Sequence, residues 1–387
     1  MNRRNFLSLS ATATAGTMIL PHFLHAAGNR RLLNAGNQSL VFIQLDGGND
    51  GLNTFIPYAD PLYKMLRPNI AIDPSDVINK TKGMGFHPAL TGLANIQQEG
   101  NLTVLQNVGY PEPIKSHFRS QEIWQTASKS QEYLQNGWLG RYLDIQCKDI
   151  IPTAGVNIDR VDSLALKGTH PNSITMRNLD KFKSEKDIDN LPLSGHPALD
   201  FTRVIANSAA SGSEEIQKAL KKAGDDITYP STGLGSQLKW ISQLIKGDLD
   251  SKIYYTSLNG FDTHNNQLGI HQRKLKELDD AVYSLYKDLK NSKLHDAVTV
   301  VIFSEFGRRV KDNTSGTDHG TAAPMFIVGG NNRGQVLGSN PDLVNLNDGD
   351  LIHQIDFRSV YASLLQDKLS FDPKLIGIAH SSYKGIF

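Results

Sequence analysis

Short apolar runs alternate along the chain with longer stretches in which apolar residues recur at helical spacing. Runs rich in β-branched and aromatic residues predict strands at 40–45, 102–108, 252–258, 297–303 and 325–329. Helical spacing predicts helices over 88–100, 117–127, 134–146, 214–224, 234–247, 265–291 and 356–366. Several strands are apolar on both faces, which is typical of a sheet covered by helices on both sides. The pattern therefore predicts an α/β domain built from βαβ units.

Residues 152–230 depart from this alternation. A short strand signal at 153–158 is followed by a polar stretch over 169–190, before helical sequence resumes. We interpret 152–230 as an insertion that caps the sheet of a domain spanning 28–387.

The N-terminal residues 1–27 have the pattern of a signal peptide. The segment opens 1-MNRRNFL-7, continues through a weakly apolar stretch and ends in small residues. It is too short and too rich in Ser and Thr to span a membrane. Its arginine pair resembles the twin-arginine signal, which the export machinery for folded proteins recognises. We therefore expect a periplasmic or secreted mature protein without a stable membrane span.

The composition narrows the classes of partner. The 387 residues include 40 basic and 39 acidic side chains, a net charge of +1, so a nucleic-acid partner is not expected. Cys147 is the only cysteine and excludes an intrachain disulfide. Stability outside the cell must therefore come from the hydrophobic core.

Acidic and histidine residues adjoin several predicted strands. Asp46 follows the first strand, Asp262 and His264 follow the strand at 252–258, Glu305 follows the next, and His319 precedes the last. Ligands of open α/β sheets gather beyond the carboxyl ends of the strands. Carboxylates and imidazoles bind divalent metals, so these five residues are candidate ligands for one or two ions, zinc or manganese first and calcium or magnesium second.

Three further residues are candidates for contact with an anionic substrate. Ser116 stands where a helix begins and is a candidate nucleophile or anion contact. Arg119 and Arg308 are candidates for holding the oxygens of a transferred group. Ser116 also fits a plain helix N-cap, and both interpretations remain open.

Structural interpretations compete with the metal hypothesis at single positions. Asp46 fits a turn and Asp262 fits an N-cap, while Glu305 could pair with a nearby arginine. His319 alone fits a structural hydrogen bond. For His87 and His117 we favour the structural interpretation.

Several motifs together resemble a known family. They are the twin-arginine leader, 46-DGGNDGLNT-54, 116-SHFRSQEIW-124, 303-FSEFGR-308 and 318-DHGTAAPMFIVGG-330. The set resembles the domain-of-unknown-function 1501 family of exported bacterial proteins, which is placed in the alkaline phosphatase/sulfatase superfamily. This resemblance implies an alkaline-phosphatase-like three-layer sandwich with a mostly parallel central sheet, helices on both faces and a small capping insertion.

The resemblance also implies an arrangement of ligands. Asp46, Ser116 and Glu305 would serve one metal, and Asp262, His264 and His319 the other. The chain departs from the superfamily in having Phe306, which cannot bind metal, where a histidine usually follows the acid. One of the two metal sites is therefore expected to be weak or absent. No C-x-P-x-R or S-x-P-x-R occurs, so the formylglycine modification of the sulfatases is not expected.

Two hypotheses of different class follow. The first is an exported metal-dependent hydrolase of a phosphate or sulfate ester, or of a related anionic ester or glycan substrate. The second is a non-catalytic secreted binding or scaffold protein on a degenerate sulfatase-like fold.

Overall fold

A nine-stranded sheet forms the centre of the computed structural model, which describes residues 38–177, 194–224 and 227–387. The predicted signal peptide, residues 1–27, lies outside the described residues. The strands in chain order are β1 Ser39–Asp46, β2 Phe55–Ile56, β3 Ile78–Thr81, β4 Met84–Phe86, β5 Leu102–Gly109, β6 Gly155–Ile158, β7 Ser173–Met176, β8 Ile253–Asn259, β9 Val298–Ser304, β10 Ala323–Gly329, β11 Val336–Leu337 and β12 Ile355–Asp356.

The strand order of the central sheet is β11-β5-β10-β9-β1-β8-β6-β7, with β12 paired to β5. Every pairing in this sheet is parallel except the two that β10 makes with its neighbours β5 and β9. Strands β2, β3 and β4 form a separate antiparallel sheet. The mostly parallel sheet predicted from the sequence is confirmed.

Eight α-helices accompany the sheet in the described residues. They are α1 Pro61–Leu66, α2 Thr91–Gln98, α3 His117–Thr126, α4 Trp138–Gln146, α5 Pro197–Lys222, α6 Gly233–Lys246, α7 Gln267–Asn291 and α8 Phe357–Ser363. Helices α2, α5, α6 and α7 contribute to the core on one face of the sheet. Helices α3, α4 and α8 contribute to the core on the other face. The three-layer α/β architecture is thereby confirmed.

Strand β1 shows why the sheet needs both layers. Val41, Ile43 and Leu45 lie in one hydrophobic core, whereas Leu40 and Phe42 lie in the other. Side chains alternate between the faces of a strand, so a run that is apolar at every position must be covered on both sides. No helix in the described residues is long and apolar enough to cross a membrane.

The described parts of residues 152–230 differ from the predicted cap. Strand β6 pairs with β8, and β7 pairs with β6, so this segment extends the central sheet at its edge instead of covering it. Helix α5 packs against α6 and continues one helical layer. Short strands seldom stand alone, because their backbone hydrogen bonds need a neighbour. Residues 178–193 and 225–226 lie outside the described part of the chain, and a cap formed there remains a prediction.

Candidate metal centre at the carboxyl edge of the sheet

Four chain segments meet at one edge of the sheet. Strands β1, β8 and β9 are parallel neighbours, with Asp46 paired to Asn259 and Leu45 to Ser304, so the loops that follow them leave from the same edge. Strand β10 runs in the opposite direction, so the loop that precedes it arrives at this edge. His319 thereby joins residues that follow other strands, although it lies before its own.

The two glycines after β1 allow the loops to approach closely. Gly47 has φ +116°, and a Cβ there would lie 2.3 Å from the backbone nitrogen of Asp262. Gly48 has φ +70°, and its Cβ would lie 2.3 Å from the ring of Phe306. Positive φ and the lack of a side chain both favour glycine here. Glycine at positions 47 and 48 is thus required by the packing of the loop against its neighbours.

Three imidazoles and one carboxylate converge beyond this edge. The Nε2 atom of His319 lies 3.0 Å from Nε2 of His117 and 3.0 Å from Nε2 of His264. The Oδ1 atom of Asp262 lies 3.2 Å from Nε2 of His319, 3.4 Å from that of His117 and 3.0 Å from that of His264. We call these four residues the three-histidine centre.

The other nitrogen of each ring has a hydrogen-bond acceptor beside it. His117 Nδ1 lies 2.8 Å from Glu305 Oε1, and His264 Nδ1 lies 3.1 Å from Asp318 Oδ1. His319 Nδ1 lies 2.8 Å from the carbonyl oxygen of Lys115. A carbonyl or an ionised carboxylate can only accept, so Nδ1 of each ring donates. In each neutral ring Nε2 therefore carries the lone pair and faces the centre.

This arrangement fits a bound divalent cation. Lone pairs on nitrogen atoms 3.0 Å apart repel one another unless a proton or a cation lies between them. His117, Asp262 and His319 offer ligand atoms that all lie within 4.8 Å of one another and form one candidate metal group. His264 Nε2 lies 3.0 Å from both His319 Nε2 and Asp262 Oδ1 at its side. Nδ1 hydrogen bonds to carboxylates and carbonyls are also the usual support of metal-bound histidines. Imidazole nitrogens with a carboxylate oxygen suit zinc better than calcium or magnesium.

The centre is accessible from solvent. The exposed fractions of the side chains are 25% for His117, 24% for His319, 38% for His264 and 49% for Asp262. Purely structural zinc sites are closed by protein ligands, whereas catalytic sites keep a face open to water or substrate. The exposure favours a site that can exchange ligands.

Arg308 lies behind the centre and does not face solvent. Its side chain is fully buried and donates to Asp262 Oδ1 at 2.6 Å. Its remaining acceptors are the carbonyl oxygens of Gly47, Gly48, Phe261 and Thr317. The prediction that Arg308 holds a substrate anion does not agree with this burial; the guanidinium instead joins the loops that carry the ligands.

The Asp262 carboxylate is held in its ionised form. Burial opposes ionisation, but the hydrogen bond and the charge of Arg308 help to outweigh it, and the pKa of Asp262 is lowered to about 2. The carboxylate therefore remains charged across the physiological range.

Glu305 and Asp46 do not lie among the ligand atoms. Glu305 is fully buried, and its carboxylate accepts from Gly47 N at 2.9 Å as well as orienting His117. The Asp46 carboxylate accepts from Gln44 Nε2 at 2.5 Å. Burial, and then the nearby charge of Glu305, raise the pKa of Asp46 to about 7. Each carboxylate thus has a donor of its own, and the metal set of Asp46, Ser116 and Glu305 stays a prediction.

The side chains of Ser116 and Arg119 differ in whether other contacts already occupy them. Ser116 is the exposed N-cap of α3, and in the described structure its side chain makes no capping hydrogen bond. Arg119 donates to Glu122 at 2.9 Å and to the Ser130 carbonyl at 3.1 Å, and its guanidinium stacks on Tyr133. The structure leaves the hydroxyl of Ser116 available but engages Arg119 in local contacts, away from the predicted anion.

His117 is the ligand candidate that the sequence interpretation missed. It is the first residue of α3, and its ring also packs on Phe306, with centroids 4.8 Å apart. Phe306 lies 5.0 Å from the His319 ring in the same way. Phe306 thus binds no metal but supports two of the imidazoles. The adjacency of His117 to Ser116 was the one signal that could have identified it.

A buried polar network supports the loops from the other side. Asp50 and Arg67 form a fully buried ion pair at 2.6 Å. Gln267 donates to Asp50 and accepts from Thr317 Oγ1 at 2.6 Å and Thr263 Oγ1 at 3.1 Å. Thr317 and Thr263 lie beside ligands of the centre. Asp50, in the motif 46-DGGNDGLNT-54, therefore helps to hold these loops from a fully buried position.

Comparison with known proteins assigns the family. Residues 101–365, more than half of the chain, match the family model described as Protein of unknown function (DUF1501). The chain therefore belongs to this family, as its motifs indicate. No match is found among curated proteins.

Similar solved structures are remote in sequence. One is the C-terminal periplasmic domain of EcEptC from Escherichia coli in complex with Zn, with 12% identity, 78% of this chain and 73% of that chain covered, and a TM-score of 0.39. Another is the phosphonate monoester hydrolase of Agrobacterium radiobacter, with 10% identity and a TM-score of 0.39. The match covers 90% of this chain and 79% of that chain. A third is the PsFucS1 sulfatase from Pseudoalteromonas sp., with 11% identity and a TM-score of 0.39. The match covers 88% of this chain and 68% of that chain.

Substituting Gly47 by alanine should weaken the centre. Gly47→Ala places a methyl group 2.3 Å from the Asp262 nitrogen, so the loop must shift and Asp262 with it. We expect zinc affinity to fall about tenfold or more, measured by titration with a competing chelator. Gly100→Ala is the control: φ there is +77° and nothing lies within 4 Å, so about 1 kcal/mol of stability is lost without loss of affinity. Equal affinities in both variants would contradict this account of Gly47.

Zinc affinity should depend on pH through His117. The hydrogen bond with Glu305 raises the pKa of His117, burial acting against it, so the metal-free ring keeps its second proton to a higher pH than usual. Binding requires the neutral ring, so affinity should fall as pH falls through this raised pKa. Glu305→Gln should move the fall to lower pH, while Glu277→Gln on α7 should not. An identical pH profile in Glu305→Gln would contradict the assignment of His117.

Proposed function

We propose that this protein is an exported, metal-dependent hydrolase of a phosphate or sulfate ester or a related anionic substrate. The observation that carries the proposal is the approach of three imidazole Nε2 atoms to Asp262 Oδ1, at 3.0–3.4 Å, with each Nδ1 facing an acceptor. Zinc or manganese would be held by these residues. Such an ion supplies positive charge that polarises the ester and stabilises the charge developing on the transferred group.

The N-terminus of α3 complements the metal ligands. Ser116 lies directly before His117, so an anion at the three-histidine centre would also face the start of the helix. Backbone N–H groups of a first turn and the helix dipole favour an anion at that place. In the described structure the Ser116 side chain does not cap them. The chain can therefore orient an anionic ester without a free arginine.

The Ser116 hydroxyl is the proposed nucleophile. Its Oγ would form a bond to the phosphorus or sulfur atom as the bond to the alcohol oxygen breaks, and the alcohol would leave with the proton lost by the serine. Water would then cleave the serine ester and restore the hydroxyl. Exposure of Ser116 and its position beside a ligand of the centre support this role.

One observation favours the alternative of a non-catalytic binding or scaffold protein. Arg308 is fully buried and Arg119 is engaged with the chain, so neither of the predicted arginines is available to a transferred group. A scaffold of this kind would bind metal without turning over any ester.

Metal content is the first measurement. Protein purified without chelators should contain about one equivalent of zinc or manganese by elemental mass spectrometry. His319→Ala and His264→Ala should lose it, while Asp46→Asn should keep it, because that carboxylate lies outside the ligand group. His170→Ala, whose side chain is 55% exposed and pairs with Asp144, is the control. Metal-free folded protein that takes up no added ion would contradict the proposal.

Turnover tests the role of Ser116. Ser116→Ala should reduce hydrolysis of any ester found in a substrate screen by about a thousandfold or more, because no covalent intermediate can form. Its metal content should equal that of the parent protein. Ser213→Ala, on the surface of α5, serves as the matched control. Unchanged turnover in Ser116→Ala would exclude the nucleophile, and metal-loaded protein that hydrolyses no ester would favour the scaffold.

A further inference from the structure

Two arginines follow the outer strands of the sheet at the same edge as the three-histidine centre. Strand β6 pairs in parallel with β8, and β7 pairs in parallel with β6, so the residues after β6 and β7 leave from the carboxyl edge. Arg160 lies two residues beyond β6, and Arg177 directly follows β7. Asp262 of the centre lies three residues beyond β8. The arginines and a residue of the centre therefore stand beyond neighbouring strands, at the edge where open α/β sheets bind ligands.

An open cleft of about 460 Å³ lies at this part of the edge. It is lined by Arg160, Val161, Asp162, Thr175 and Arg177. Two cations face one carboxylate, so the lining has an excess of positive charge. The side chains of both arginines are exposed. The volume is that of a small-molecule site, and the charge favours an anion.

Both guanidinium groups are unpaired within the described part of the chain. Neither guanidinium forms a hydrogen bond or an ion pair with a described residue. Arg119 and Arg308, in contrast, donate to acceptors of the chain itself. A guanidinium presents five N–H donors in a planar fork that suits the oxygens of a phosphate or sulfate group. The donors of Arg160 and Arg177 are therefore available to an anion that arrives from solvent.

The wall of the cleft is held by buried Asn157. This residue is 1% exposed, and its amide nitrogen donates to the Val161 carbonyl oxygen at 2.8 Å and to Thr175 Oγ1 at 3.3 Å. Asp159 accepts from the hydroxyl of Ser257 on β8, which attaches the same loop to the neighbouring strand. Because Thr175 Oγ1 accepts from Asn157, its own hydroxyl proton can be donated to a further acceptor. The loop after β6 is thus fixed before a ligand binds, which lowers the entropy cost of binding.

We propose that this cleft holds a second anionic group of the substrate, so that the substrate is an extended polyanion. The inference rests on the proposed hydrolase function and specifies its substrate class. The ester to be cleaved would lie at the three-histidine centre, while a second phosphate or sulfate group would lie between Arg160 and Arg177. Strands β6 and β7 are the first and second beyond β8, and neighbouring strands stand about 4.8 Å apart. The two anionic groups would therefore be separated by a distance on the order of 10 Å.

Binding of matched esters tests the proposal without requiring turnover. 1,8-Octanediol bisphosphate and 8-hydroxyoctyl phosphate have the same chain and differ in a second phosphate against a neutral hydroxyl group. Calorimetric titration into the full metal-loaded protein should show about tenfold tighter binding of the bisphosphate. This preference should shrink at high salt. The corresponding sulfate esters form a second pair, and a preference in either pair supports the proposal and identifies the oxyanion that the cleft takes.

Substitutions of the two arginines should remove the preference. Arg160→Gln and Arg177→Gln should each reduce it, and the double variant should abolish it. Both side chains are exposed, so these substitutions are not expected to affect folding. Arg333→Gln is the matched control and should leave the preference unchanged. Arg333 is also exposed, but it follows β10, which ends at the opposite edge of the sheet.

The outcomes separate this inference from the function on which it rests. Equal binding within both pairs would overturn the cleft proposal and leave the hydrolase proposal intact. Failure of all four esters to bind would overturn the hydrolase proposal and the cleft proposal together. A preference that survives in the double variant would also overturn the role of Arg160 and Arg177.

Discussion

The buried guanidinium of Arg308 is the interaction on which the functional edge of this molecule depends. Strands β1, β8 and β9 are joined by backbone hydrogen bonds, but those bonds end where the loops begin. Beyond that point Arg308 donates to carbonyl oxygens of the loops after β1 and β8 and of the loop before β10. Removing this side chain would leave several carbonyls without donors in a place that water does not reach, at a cost of about 1–3 kcal/mol for each buried group. The loops are therefore held as one unit, and the imidazoles they carry can converge.

A second constraint acts on the same loops from the opposite side. Asp50 and Arg67 are fully buried as a pair, and burial of Asp50 is outweighed by the Arg67 guanidinium, which holds the pKa of Asp50 below its ordinary value. Gln267 connects that pair to Thr263 and Thr317. A buried charge is tolerated when an opposite charge pairs with it, as Arg67 does here through Asp50 Oδ2, and the hydrogen bonds of Gln267 extend this pairing to the loops. Ligand positions are thus fixed by interactions that no substrate touches.

The sequence predicted much of the fold because apolar periodicity reports which faces of each element are buried. It placed the five long strands, and the family resemblance grouped Asp262, His264 and His319 as ligands of one metal. It could not decide which side chain in each loop reaches the centre. Glu305 lies in the expected loop but orients His117 from behind, and His117 itself, directly after Ser116, was interpreted as structural. A helix turns by about 100° per residue, so that single step changes which side chain faces the site.

Asp262 shows how the supporting interactions shape the chemistry of the centre. Its Oδ1 accepts from Arg308 at 2.6 Å and also lies within 3.4 Å of all three imidazole Nε2 atoms. A carboxylate that shares its charge with a guanidinium donates less to a cation, and neutral imidazoles donate no net charge. A divalent ion held here would keep much of its positive charge, and with ligands 24% to 49% exposed that charge would be open to an incoming anion. The interaction that gathers these side chains would therefore also leave a bound ion electrophilic.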